Sequence, residues 1–157
     1  MQIILYYKCK LNCMRHDKNR LAFVSMTKAK PMKTVVTSEN APAAIGPYSH
    51  GTAYNNLIFT SGQLPVDAAT SKVAEGGITA QSIQSLKNLV SVVEAGGGDV
   101  NTILKTTCYL ADITDFAAFN EVYKTVFETD CPARSCFAVK DLPLGVLVEV
   151  EAIAHAK

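Results

Sequence analysis

Val146-Leu147-Val148-Glu149-Val150-Glu151-Ala152-Ile153-Ala154 is the stretch whose reading decides the fold. Side chains alternate along a strand, so the even positions form one wholly apolar face. On the odd face Glu149 and Glu151 sit among Leu147 and Ile153. Both faces are largely apolar, whereas a strand open to water on one side alternates cleanly. Working outward, the chain supplies about six β-prone runs and only two helical ones. Two helices cover one face of such a sheet, and the other face has to pack on a second copy of the chain. The expectation is an α+β domain that assembles as a homo-oligomer.

Immediately upstream, Lys140-Asp141-Leu142-Pro143-Leu144-Gly145 turns the chain, and before it a strand runs from Pro132 to Val139. Arg134, Cys136 and Ala138 share one face of that strand; Ser135, Phe137 and Val139 take the other. Arg134 is the only arginine after position 20 and stands in an apolar run. A guanidinium there needs an anionic partner, because burying it unpaired is costly. Two partners are open: an internal ion pair with Glu149 or Glu151, or a ligand carboxylate or phosphate gripped through two hydrogen bonds. The arginine next to Cys136 is also a reason to expect a lowered thiol pKa. No histidine is placed by sequence to activate that thiol, so a role as a pocket wall is preferred.

The remaining segments follow in order. Lys33 to Ser38 is a short β-prone opening. Two prolines and a glycine make Asn40–Tyr48 an irregular, stiff loop that ends on Tyr48. Ser49–Tyr54 and Leu57–Ser61 flank Asn55-Asn56 and predict a β-hairpin. The second arm runs into Ser61-Gly62-Gln63, where Gly62 permits close backbone approach and Ser61 offers a hydroxyl. From Ile78 the apolar period becomes helical through Ile83, Leu86, Leu89, Val90 and Val93, and Gly96-Gly97-Gly98 stops the helix. Ile103–Leu110 returns to β. A second helix starts near Asp115, with Phe116, Phe119, Tyr123 and Val126 on one stripe.

Composition narrows the classes of function. Of 157 residues, 48% are hydrophobic and 18% charged, which suits a single domain with a sizeable core. The charge is uneven: residues 1–32 sum to +6 and residues 33–157 to −5. An acidic body without a basic stripe disfavours nucleic acid as a partner. No apolar run approaches the ~20 residues that cross a bilayer, so no membrane partner is expected. Five cysteines without dense spacing fit a reducing compartment. There is no Gly-rich phosphate loop, no paired-cysteine metal set and no GxSxG. His50 and His155 lack metal partners by spacing, and Cys9, Cys13 and His16 find no fourth ligand.

Residues 1–32 lack a steady period and are expected to be disordered and to add little to the fold of residues 33–157. Their basic, acid-poor composition reads either as an organelle transit segment or as a leader ahead of a start at Met26 or Met32. The first reading makes the protein mitochondrial, the second cytoplasmic.

Four motifs in order then resemble one family. They are Ala41-Pro42-Ala43-Ala44-Ile45-Gly46-Pro47-Tyr48-Ser49, Thr60-Ser61-Gly62-Gln63, Pro132-Ala133-Arg134-Ser135-Cys136 and Val148-Glu149-Val150-Glu151-Ala152-Ile153-Ala154. Over about four-fifths of its length, the chain resembles the reactive-intermediate deaminases, the RidA/YjgF-like proteins. The resemblance implies a chorismate-mutase-like α+β domain with a mixed sheet of about six strands and two helices on one face. It further implies a homotrimer with sites between subunits. The implied activity is hydrolysis of 2-iminobutanoate and 2-iminopropanoate to 2-oxo acids and ammonia without a cofactor, which protects pyridoxal-phosphate enzymes. Carried over by residue, Arg134 would grip the substrate carboxylate and Glu149 would hold the attacking water. Tyr48, Ser61, the Gly62 amide and Cys136 would line the ligand.

His50 stands where a glutamine is usual in the family, and Leu144 where a basic residue is common; neither is expected to touch the site. Some relatives are described as endoribonucleases that inhibit translation, which is the rival reading. A non-catalytic ligand-binding or chaperone-like trimer is the third.

Overall fold

A computed structural model describes residues 32–157, so the readings of residues 1–31, including Cys9, Cys13 and His16, lie outside the described residues. The chain forms β1 (Thr34–Val36), β2 (Gly51–Tyr54), β3 (Leu57–Thr60), α1 (Gly77–Ala95), β4 (Ile103–Leu110), α2 (Phe116–Val126), β5 (Ala133–Ala138) and β6 (Val148–His155). One six-stranded sheet runs in the order β1-β2-β3-β6-β4-β5. Every pair is antiparallel except β4 and β5, which α2 joins as a parallel crossover. The sheet is therefore mixed and the domain α+β.

The last strand lies inside the sheet, between β3 and β4. Val148, Val150, Ala152 and Ala154 are buried beneath the helices with Leu86, Leu89, Val93 and Phe119. On the opposite face Glu149, Glu151 and Ile153 stand beside Lys105, Thr107 and Tyr109 of β4. Phe59 and Phe137 stay 40% and 45% exposed. Tyr109 meets Phe137 edge-on, with ring centroids 5.4 Å apart, and its hydroxyl donates to Glu151 at 3.1 Å.

The hairpin turns on Asn55, whose φ of 54° an asparagine tolerates. The helix stop forms at Gly97, in the left-handed region at φ 91°. The stripe expected on α1 is corrected in part. Ile83 is 55% exposed, while Ser82, Ser85, Asn88 and Val92 are fully buried with Leu86, Leu89 and Val93. This helix buries a polar seam beside its apolar one, because loop carbonyls beneath it need donors. The final strand also begins two residues later than expected; Pro143–Gly145 forms a 3₁₀ turn first, with Leu144 at φ 59°.

Candidate functional site

The site grows from the segment that leaves β3. The Ser61 amide donates to the carbonyl of His50 at 2.9 Å and its hydroxyl to that of Ser49 at 2.7 Å, which ties the end of the Tyr48 loop to the end of β3. Gln63 exchanges two backbone hydrogen bonds with Val150, at 2.8 and 3.2 Å. That bridge brings β6 alongside, so the carboxylate of Glu149 rests on Gly62. A β-carbon at position 62 would overlap it unless the Glu149 side chain moved, so glycine here lets the carboxylate lie against the backbone. Glu149 is half-buried, and its carboxyl is pushed above the ordinary glutamate range by burial first and by the charge of Glu151 second.

The polar seam of α1 holds the same segment from below. The Ser85 hydroxyl donates to the carbonyl of Gln63 at 2.7 Å. The Asn88 amide donates to the carbonyls of Leu64 at 2.9 Å and Val66 at 2.8 Å. Gln81 accepts the amide of Leu147 at 2.7 Å, just ahead of β6. Sequence reasoning missed these residues. Their signal was present, in small and amide side chains three or four apart within an apolar stripe.

Above this segment lies a cavity of about 180 Å³ whose lining includes Ile45, Tyr48, His50, Gly62, Val66 and Leu144. The Tyr48 ring is 47% exposed and its hydroxyl accepts from the amide of Ile45 at 3.3 Å. The expectation for His50 and Leu144 is corrected here: both line the same cavity as Tyr48 and Gly62. The reason is tertiary, since the 3₁₀ turn and the end of the stiff loop close on one another.

Arg134 and Cys136 are elsewhere. They occupy the helix-side face of β5, the edge strand, in register with Thr106 and Cys108 of β4. Thr106 in turn pairs with Ala152 of β6. Glu149 and Glu151 are therefore two strands away and on the other face, which rules out the internal ion pair. The only salt bridges among the described residues are Lys124–Glu121 and Lys157–Asp99. The guanidinium instead stacks over Tyr123, 4.5 Å from the ring centroid, with Phe116 and Phe119 at 5.5 and 6.0 Å. It borders an open cavity of about 560 Å³ with Asn120, Lys124 and Cys131. The lowered thiol expected for Cys136 is also corrected. Burial pushes it up, and Arg134 only partly opposes this.

Within one chain, then, Tyr48, Ser61, Gly62 and Glu149 come together, whereas Arg134 and Cys136 form a separate group. Among the described residues no cluster of three His, Cys, Asp or Glu side chains is placed to hold a metal, and no helix is long and apolar enough to cross a membrane.

Comparison with known proteins places the chain in a family. A family model described as endoribonuclease L-PSP matches residues 38–156. The 2-iminobutanoate/2-iminopropanoate deaminase of Salmonella typhimurium is 47% identical over 126 residues, 78% of this chain and 98% of that protein. The solved YjgF gene product of E. coli superposes with a TM-score of 0.75 at 44% identity, covering 79% of this chain and 99% of its own. E. coli TdcF, solved with bound serine, gives 0.75 at 39% identity over 79% of this chain and 99% of its own. A six-stranded mixed sheet with two helices, four motifs in order and this extent of identity make the chain a member of the endoribonuclease L-PSP family, the RidA/YjgF-like proteins.

Proposed function

We propose that this chain hydrolyses reactive 2-imino acids, 2-iminobutanoate and 2-iminopropanoate among them, to 2-oxo acids and ammonia, and so protects pyridoxal-phosphate enzymes. It works as a homotrimer whose sites span two subunits. The observation that carries the reading is Arg134, a partly buried guanidinium stacked on aromatic rings at a sheet edge, with no acid paired to it among the described residues. A planar fork held in that way is pre-set for a carboxylate. Glu149 and Gly62 lie on the other face of the same sheet, so a ligand gripped by one subunit's Arg134 reaches them only on a neighbouring subunit.

In this reading the Gly62 amide, Tyr48, Ser61 and Cys136 line and orient the substrate. Glu149 takes a proton from water as the water oxygen bonds to the imine carbon, and the C=N electron pair moves onto nitrogen. The tetrahedral adduct then collapses to the carbonyl: its hydroxyl proton and the proton that Glu149 returns both pass to nitrogen, the C–N bond breaks and ammonia leaves. A carboxyl raised above its ordinary range is the better base for this cycle. The reaction needs neither cofactor nor metal. Its partners are small 2-imino and 2-oxo acids. The net charge of −5 over residues 33–157 argues against nucleic acid. We assign the protein to the cytoplasm, or to the mitochondrion if residues 1–32 act as a transit segment; sequencing the native N-terminus decides between them.

The test is complementation. Arg134→Ala and Glu149→Gln should each lose about a hundredfold or more in kcat/KM on freshly generated 2-iminobutanoate, as removal of a buried charged partner or of a base implies. Refolded together, the two variants should recover about a quarter of wild-type activity, because a quarter of the shared sites then pair an intact Arg134 with an intact Glu149. No recovery would place both groups in one subunit. Wild-type protein that cleaves single-stranded RNA and leaves the imine untouched would favour the endoribonuclease reading.

A further inference from the structure

The cavity above Gly62 is larger than the ethyl group of 2-iminobutanoate requires. About 10–15 Å³ suffices for a water molecule, and this cavity measures about 180 Å³. Most of its wall is apolar, from Pro42, Ala43, Ala44, Leu64 and Val66 to Ile45 and Leu144 at its exposed rim. His50 breaks that wall. The ring is 9% exposed, and its Nδ1 accepts a hydrogen bond from the backbone amide of Ser38 at 3.1 Å. An imidazole nitrogen that accepts from an amide carries no proton, so in the neutral ring the proton sits on Nε2. Nε2 has no hydrogen-bond partner among the described residues, and it is not among their sealed, unpartnered polar atoms, of which the Ser82 hydroxyl is the one present. The ring itself lines the cavity.

We propose that this cavity is the subsite for the substrate's side chain, and that His50 Nε2–H makes it favour 2-imino acids whose side chains end in a neutral hydrogen-bond acceptor over isosteric aliphatic ones. The inference rests on the imine-hydrolase reading and extends it to a substrate class. With the reacting carbon beside the Glu149 carboxylate where it rests on Gly62, the side chain is directed into the cavity that Gly62 lines. An aliphatic group there leaves the Nε2–H unpaired, while a carbonyl oxygen satisfies it. Ser71, on the same wall, is available to an amide's own N–H groups. Because the rim carries Leu144 and no basic residue, it offers nothing to an acidic side chain.

The experiment compares two side chains of one shape, CH₂–C(O)NH₂ and CH₂–CH(CH₃)₂. Their 2-imino acids are generated from asparagine and leucine by an amino-acid oxidase, and their 2-oxo acids are used as binding probes in calorimetry. The quantity read is the amide-to-isobutyl ratio, in kcat/KM and in affinity. His50→Asn keeps an acceptor for the Ser38 amide but is too short to present a donor to the cavity; it should lower the ratio about tenfold. His50→Gln, which restores a donor at the position of Nε2, should return the ratio to within about twofold of wild type. An unchanged ratio in His50→Asn, in turnover and binding alike, overturns the proposal. A changed binding ratio in a protein that hydrolyses no imine refutes the hydrolase reading and leaves the subsite standing. Since His50 is buried, Ile45→Phe at the exposed rim gives an independent reading. Narrowing the entrance should reduce turnover of both long probes about tenfold relative to 2-iminopropanoate; an equal effect on all three overturns the subsite.

Discussion

Glu149 concentrates the chemistry at the scale of a single residue. Burial and the neighbouring charge of Glu151 both disfavour its ionised form, so its carboxyl titrates above the ordinary range. The acid limb of kcat/KM should therefore lie above that of an exposed glutamate. In Glu151→Gln the limb should move to lower pH, because one of the two causes is removed; a pH–rate profile of both proteins checks this. The sign for stability is the reverse of that for function. A carboxyl whose pKa is higher folded than unfolded destabilises the fold at pH values above its folded pKa and has no such effect below its unfolded one. Glu149→Gln should accordingly raise Tm at neutral pH, and the gain should vanish in acid.

Among the elements, α1 matters most to the site without touching substrate. Its Ser85 and Asn88 hold the carbonyls of Gln63, Leu64 and Val66, and through them the position of Gly62 against Glu149. Asn88→Ala leaves two carbonyls without their donor and should cost about 2–4 kcal/mol in thermal or denaturant unfolding. Ser85→Ala removes one bond and should cost about 1 kcal/mol. A purely structural seam would stop there. A positioning seam should also lower kcat of the folded Ser85→Ala protein more than it raises KM, with partial rescue in Ser85→Thr, which keeps the hydroxyl.

For the whole molecule, the two faces of the sheet have different fates. The helices cover one, and the other presents Phe59, Ile153 and Phe137 around Lys105, Thr107 and Glu151. If that face packs on neighbouring copies, Phe59→Glu should break the trimer, because an unpaired buried charge costs several kcal/mol. Light scattering should then give a monomer with little imine hydrolysis. Ile83→Glu, at an exposed position on α1, should leave the trimer intact.

The sequence by itself determined the elements and their layers. Periodicity is a local property, so β6 was legible as a strand apolar on both faces, Asn55-Asn56 as a hairpin and Gly96-Gly97-Gly98 as a helix stop. The motifs around Tyr48, Gly62, Arg134 and Glu149 were legible for the same reason, since each is a short run of neighbours. Only the tertiary structure decided which of these runs meet. It placed β4 between the strands of Arg134 and Glu149, which removed the ion pair and divided the site within one chain. It folded Leu144 and His50 onto one cavity although 94 positions separate them. It also gave the polar residues of α1 a purpose that no helical period carries, because the carbonyls they satisfy belong to a segment 22 and 24 positions away. Strand order and loop closure arise from contacts between distant residues, and alternation along a single strand holds no record of them.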